Sequence, residues 1–575
     1  MRERPAPVSD AAVLIGIVLA LAVCGLVWLW GGLAGALFGR GWTSSALPEL
    51  LEVLVRLPTH LGHPAAAWPA AARPRLPGTL ALYLTLLALL TTAVAILRSA
   101  LRLTGALGRG NGAGARWAGA CELRTLRRGG DRRVRRPGRR AERSSATTCR
   151  LVLGRHRGRR LYAEERHALV AFGPPQSGKS AGLAVPALLE WEGPAVASSI
   201  KTDLLGVTAR RRSRLGPVFV FDPFGLSGQP THTWSPLRAA RTWDGALEVA
   251  WRLAAAGEVD QRGVEGGDFW ALAAEQRLAP LLYAAARSGG GIPELMRWAH
   301  GQGGRELDAA LARVTGEARD ETELADAHAA YDAVRAFEAQ AERTRSSIEA
   351  TVQTLLRAYR FARVGASARG CQITPERLLE QPATLYLIGD AKASRLLRPI
   401  FLALLGEIVD RAYERATLAG GRLRLPLLLC LDEAGNVAPL PHLGEIASTA
   451  PSHNIQLVSI FHDLAQARSR YGRQAETVIN SHRARMLLPG VADLDTLRYF
   501  SGLLGEEEAR EVTRTTGSGG SSRSTGRRRR PLMAAEALRQ LPEHHALLVY
   551  GRLAPLRLRL RLWFADRRLR RLAEA

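Results

Sequence analysis

Lysine is almost missing from this chain of 575 residues: it occurs only at Lys179, Lys201 and Lys392. The net charge of +26 therefore rests on arginine. A charge this large calls for an anionic partner, nucleic acid or acidic phospholipid. The arginine skew is also what compositional bias alone produces, so charge by itself selects neither. Cysteine is scarce too. Its five positions, Cys24, Cys121, Cys149, Cys371 and Cys430, are odd in number and lack C-x-x-C spacing, a pattern that fits neither a disulfide framework nor a metal site. The catalytic part is therefore expected in a reducing compartment. A chain of this length exceeds one core, so two or more folded units with tails are expected.

Charge is absent altogether from Ala11 to Gly39, and the run "VLIGIVLALAVCGLVWLWGGLAGALF" is long enough to cross a bilayer as a helix. A second uncharged stretch, "PGTLALYLTLLALLTTAVAIL", ends before Arg98. A signal peptide would account for the first run alone, but that run is long for a signal core and a second follows it. Two transmembrane helices are expected, at 11–39 and 79–97. Arg2 and Arg4 precede them and a basic region follows, so both ends belong in the cytoplasm. The N-terminus 1–10 is then cytoplasmic, 40–78 is a short external loop with little room for a folded domain, and the protein is a multi-pass protein of the cytoplasmic (inner) membrane. Residues 98–160 hold nineteen arginines against three acids, Glu122, Asp131 and Glu142. The Gly/Pro-broken core "RRGGDRRVRRPGRR" makes 98–150 a basic flexible linker. Beside a membrane it would bind anionic lipid headgroups at roughly 1 kcal/mol per basic residue; direct contact with DNA is the alternative that composition leaves open.

The chemistry-bearing motif is "GPPQSGKS", which fits G-x-x-x-x-G-K-S. "HALVAF" before it suits a buried strand and "SAGLAVPALLEW" after it suits a helix, the context a phosphate-binding loop requires. Backbone N–H groups across Gly173, Pro174, Pro175, Gln176, Ser177 and Gly178 would cradle the phosphates of ATP. Lys179 would neutralise the β- and γ-phosphates, and Ser180 would ligate Mg2+. Such a loop needs a carboxylate on a nearby strand, and "LPLLLCLDEAGN" supplies Asp432 for the Mg2+ shell and Glu433 to activate water. A bare Asp-Glu after a strand is ordinarily a solvated turn; paired with this loop, the catalytic reading is preferred. "PAVASSI", "PVFVFDP", "ATLYLIG" and "IQLVSIF" read as further strands, so a doubly wound α/β domain with a parallel sheet is expected.

These residues resemble the type IV secretion coupling ATPases, the conjugative DNA-transfer coupling proteins, in their actinobacterial form. The resemblance is carried by "EERHALVAFGPPQSGKSAG", "SSIKTDLL", "VFVFDPFG", "THTWSPL" (Ser235 where Asn is usual), "LLLCLDEAGN", "YGRQAETVINSHRARMLLPGVADLDTLRYFSGLLG" and "HHALLVYGRLAPLRLRLRLWF". It implies a RecA-like P-loop motor in two parts, 151–237 and 376–565, around an inserted all-α domain at 238–375, with 566–575 a C-terminal tail. It also implies a homo-hexamer that recruits DNA or a relaxase–DNA substrate and contacts type IV secretion channel components. His462 stands where the family commonly has a γ-phosphate-sensing glutamine, and Pro451 where an arginine is frequent. Arg483 and Arg485 are the nearby candidates for an arginine acting on a neighbour's nucleotide. The run "GSGGSSRSTGRRRR", 517–530, reads as a disordered basic segment. Two rivals stay open: a septal chromosome translocase, and a membrane adaptor that binds nucleotide but hydrolyses it weakly.

Overall fold

In the computed structural model, residues 10–107, 114–127, 150–261, 267–517 and 520–575 are described, and the chain divides into two compact units, 1–112 and 113–575. The first unit is built on helices α1 (Asp10–Phe38), α2 (Leu47–Arg56) and α3 (Thr79–Leu107). Among the described residues one window, Thr79–Ile96, is long and apolar enough to cross a membrane. The first expected span coincides with α1, of which side chains are described from Val23. The segment expected to be a bare loop has a packed core of its own. Trp30 lies edge-on to Trp68 and donates from Nε1 to the carbonyl of Leu82 at 2.7 Å. Leu50 and Val53 of α2 are buried with them. Glycine makes this possible: a Cβ on Gly31 would stand 2.7 Å from the Trp68 indole nitrogen.

The second unit is an α/β body. Its strands are β1 (Val152–His156), β2 (Arg159–Tyr162), β3 (Ala168–Phe172), β4 (Ala195–Ser199), β5 (Val218–Phe221), β6 (Thr384–Ile388), β7 (Leu427–Leu431), β8 (Ile455–Phe461), β9 (Ala484–Leu487), β10 (Glu506–Gly517), β11 (Gly520–Pro531), β12 (His545–Tyr550) and β13 (Leu556–Arg559). Eleven of them form one sheet in the order β2-β1-β13-β12-β9-β3-β8-β7-β4-β6-β5. From β9 to β5 every pairing is parallel, and the β12, β13, β1 and β2 edge is antiparallel. The central strands are apolar throughout because both faces are covered. Val170 and Phe172 pack into one core with the helical region, while Leu169 and Ala171 pack into the other.

Between β5 and β6 the described residues are mostly helical, chiefly in the helices Trp243–Gln261, Gly267–Ser288, Gly291–Ala299 and those from Gly304 to Leu356. Three expectations change. The segment 517–530 is not a free linker: β11 pairs with β10 along its length, from Glu506 opposite Pro531 to Gly517 opposite Gly520. The acidic start of β10 faces the arginine run, with Arg530 2.8 Å from Glu507, so the countercharge lies in the preceding segment. Part of the expected linker, 114–127, is attached to the body: the amide of Ala118 bonds the Pro555 carbonyl, and that of Tyr162 bonds the Leu126 carbonyl. Residues 128–149, its arginine-dense core, lie outside the described residues.

The expected tail is the helix Arg567–Glu574, held by a buried ion-pair triad. Arg561, 3% exposed, donates to both Glu190 oxygens at 2.6 and 3.1 Å and to Asp566 at 3.0 Å. Burial opposes the ionisation of Asp566, but Arg561 outweighs it and holds the carboxyl at about 2. Arg561→Ala is expected to cost about 2 kcal/mol, because it removes the buried partner of two largely buried carboxylates and leaves Asp566 to Arg155 at 3.0 Å and Glu190 to Arg568 at 3.6 Å. The urea midpoint of the full chain measures this, and an unchanged midpoint would count against the triad.

Candidate nucleotide site

The loop 173–180 leaves β3 at its carboxyl end, where open α/β sheets bind ligands. The amide of Gly173 is tied to the Phe461 carbonyl at 3.0 Å, fixing the loop to β8. Gln176 and Gly178 take positive φ, +67° and +85°, which folds the loop back on itself. Gly173 is required by space rather than by φ: a Cβ there would lie 2.5 Å from Ser177 Oγ and 2.6 Å from Leu488 Cδ1. Gly173→Ala is therefore expected to weaken nucleotide binding about tenfold, measured by titration with a fluorescent ATP analogue, and to lower the melting temperature, because the added methyl presses on the buried Leu488. After the loop comes one wide π turn, Ser180–Ala184, then the helix Val185–Glu190. Pro186 sits in the first turn of that helix, where a missing N–H is tolerated.

β7 lies two strands away, with β8 between, and brings Asp432 and Glu433 to the same edge. Ser180 Oγ donates to Asp432 Oδ2 at 2.6 Å. Asp432 Oδ1 is buried with no hydrogen-bond partner. Burial raises the Asp432 carboxyl to about 6, against the pull of the Ser180 hydroxyl and the Lys179 charge. A buried carboxylate oxygen with no donor, beside a serine hydroxyl, is an oxygen pair suited to a hard divalent cation.

Lys179, 6% exposed, stands 3.3 Å from Glu433 Oε1 and 3.1 Å from His462 Nδ1. An ammonium has only donors, so His462 Nδ1 accepts and its proton sits on Nε2, which faces Glu433 at 3.8 Å. Burial and the neighbouring Lys179 charge lower the His462 pKa, which keeps the ring neutral near pH 7. Glu433 itself holds φ +61°, an uncommon backbone state for a non-glycine residue.

Two residues not singled out beforehand position this group. Asn436 donates from its side chain to Glu433 Oε2 at 3.2 Å. Gln466 accepts the His462 amide at 2.8 Å, which fixes the start of the turn after β8. Asn436 could have been found from its place in "LDEAGN"; Gln466 carried no motif. The antiparallel edge also covers the loop. Leu560 and Leu562 lie over Gly182 and Gly178, and the amide of Trp563 bonds the Ala181 carbonyl at 3.0 Å. Arg483 and Arg485 do not join this cluster. Arg483 precedes β9 and pairs with Glu164 at 2.8 Å; Arg485 bonds the Ile479 and Asn480 carbonyls.

The fold and the site define a class: an α/β protein whose phosphate-binding loop faces a buried Asp–Glu pair across a mostly parallel sheet. Residues 138–574 match the family described as type IV secretory system conjugative DNA transfer, and the chain belongs to that family. It is 25% identical over 404 residues to the conjugal transfer protein TraG of Escherichia coli, covering 65% of this chain and 61% of that protein. It is 23% identical over 421 residues to the protein VirD4 of Rhizobium rhizogenes, covering 72% and 60%. The chain thus spans less than two thirds of the length of these relatives. A solved structure of the plasmid coupling protein TrwB in complex with ADP and Mg2+ shares the fold, with a TM-score of 0.53 and 19% identity over 70% of this chain and 87% of that one.

Proposed function

We propose that this chain is a membrane-anchored ATPase that uses ATP hydrolysis to recruit DNA, or a relaxase–DNA complex, and drive it into a type IV secretion channel. The supporting observation is the convergence of Lys179, Ser180, Asp432, Glu433 and His462 at one sheet edge in a member of the conjugative transfer family. Gly173 to Ser180 would hold the phosphates of ATP, and Ser180 with Asp432 would hold Mg2+, which supplies charge neutralisation on the phosphate oxygens.

In the present structure Lys179 is shared between Glu433 and His462. Attraction of its ammonium to phosphate would release the Glu433 carboxylate to accept a proton from the attacking water. His462, whose Nε2–H points toward Glu433, would donate to that water or to a phosphate oxygen. TrwB was solved with ADP and Mg2+, which supports the same ligands here. A RecA-like homo-hexamer, two membrane spans with the N-terminus and motor in the cytoplasm, and contact of the linker with anionic headgroups complete the reading. One span of sufficient length, Thr79–Ile96, and the basic region after it support the anchor.

The test is ATP turnover by the full chain in detergent micelles, with and without single-stranded DNA. DNA-stimulated turnover that vanishes in Lys179→Ala is expected; turnover indifferent to DNA would reject the pumping role. For the linker, salt-sensitive binding to anionic vesicles is expected to fall when residues 128–143 are deleted, and undiminished binding would reject the lipid contact.

A further inference from the structure

The helical region carries a second concave site, built from elements that contribute nothing to the phosphate loop. A cleft of about 940 Å³ opens between the turn Pro236–Arg241, the turn at 289–291 that joins two helices, and the segment from Tyr359 to Cys371. Its volume is in the range of small-molecule sites, roughly 300–1,000 Å³. Arg238, Arg241, Arg360 and Arg369 line it, and no carboxylate does. Arg238 is committed to Glu376 and Glu407, at 3.4 and 3.0 Å. Among the described residues Arg241, Arg360 and Arg369 have no ion-pair partner. These three guanidinium groups are exposed at the cleft and free to pair, and a ligand bearing several negative oxygens matches their fork of donors.

The rest of the lining is largely apolar, with Leu237 and Met296 among it. There the Tyr359 hydroxyl is buried with no hydrogen-bond partner, and burial pushes its phenol above the usual range. An orphaned buried hydroxyl costs about 1–3 kcal/mol, so its presence points to a partner that arrives with a ligand. The cleft is too large for a bare phosphate, and its apolar surface accepts a planar ring.

We propose that this cleft binds a phosphorylated nucleoside, free or as one unit of a single strand, with the phosphate on Arg241, Arg360 and Arg369 and the base or sugar on the Tyr359 hydroxyl. The inference stands whether or not the P-loop hydrolyses ATP.

The test uses the full chain carrying Lys179→Ala in detergent micelles, so that the P-loop no longer holds nucleotide and no blocking nucleotide competes at the cleft. Fluorescent AMP and a short fluorescent single-stranded oligonucleotide are titrated separately. Saturable binding of at least one probe is expected, weakened about tenfold when Arg360→Glu/Arg369→Glu is added to that chain. Binding of AMP alone identifies a free nucleotide as the ligand; binding of the oligonucleotide alone identifies a strand. Tyr359→Phe supplies a readout independent of charge: it is expected to raise the melting temperature of the ligand-free chain while weakening probe binding a few-fold. It also covers the case in which the double variant does not fold. The proposal is overturned if neither probe binds to the Lys179→Ala chain, or if charge reversal in a folded protein leaves binding unchanged. Competition by inorganic phosphate as effective as that by AMP overturns it too.

Discussion

Glu433→Gln is expected to lower ATP turnover by about a hundredfold or more while nucleotide affinity stays within a few-fold. The amide keeps the size and much of the hydrogen bonding of the carboxylate, including acceptance from Asn436, but it cannot take a proton from water. It also removes the charge that holds Lys179 at 3.3 Å, which favours the lysine reaching a phosphate. Binding should therefore be maintained or improved as turnover falls. Lys179→Ala is the contrasting variant, losing affinity and turnover together. Turnover measured beside equilibrium binding separates the two. If Glu433→Gln hydrolyses ATP as fast as the parent, Glu433 is not the base, and the adaptor reading regains ground. His462→Gln tests the ring next to it: a glutamine can donate the same hydrogen bond, so turnover within a few-fold of the parent is expected, with a larger loss in His462→Ala.

Acid should unfold this protein early, through two histidines the site does not use. His167, 1% exposed, directly precedes β3 and stacks on Tyr550. Burial lowers its pKa to about 3. His482, fully buried between the Val478 carbonyl and the Ser459 hydroxyl, is lowered to about 4 by burial. Both must stay neutral in the fold, and both charge readily once unfolded, where a histidine titrates near 6.5. Their contribution is therefore complete above about pH 6.5 and is lost progressively as pH falls toward the folded values. At pH 4.5 the combined loss is on the order of 5 kcal/mol, a large part of the stability of a typical domain. Urea midpoints followed from pH 7.5 to pH 4.5 should fall steeply, and the slope should flatten in His167→Phe. A midpoint independent of pH, or an identical slope in the variant, would reject this account.

Which parts of this protein can be read from its residues follows from where the forces act. The central strands and the loop 173–180 are legible because burial on both faces demands continuous apolar runs and the phosphate cradle demands glycine at fixed spacing. Asp432 and Glu433 are legible for the same reason, at the end of the run Leu427–Leu431. What escaped depends on partners distant in the chain. The arginine-rich stretch 517–530 reads as disordered in isolation; its order comes from strand pairing with Glu506–Gly517, a register no local composition encodes. The helix Arg567–Glu574 looks like a tail until Glu190 is seen to meet Arg561. The packing of 40–78 turns on single tryptophan–glycine contacts, which leave no periodic trace.

Leu560, Leu562 and Trp563 emerge from the ribosome long after the loop they cover. A nascent chain, or one cut short before Leu560, carries the lysine, serine and both acids of the site, but its phosphate loop lies open on one side. It also lacks Arg561, so Glu190 at the end of the following helix has no buried counter-ion. The apolar cover of the phosphate loop and the counter-ion of the helix that follows it therefore arrive together, from the one downstream segment 560–563.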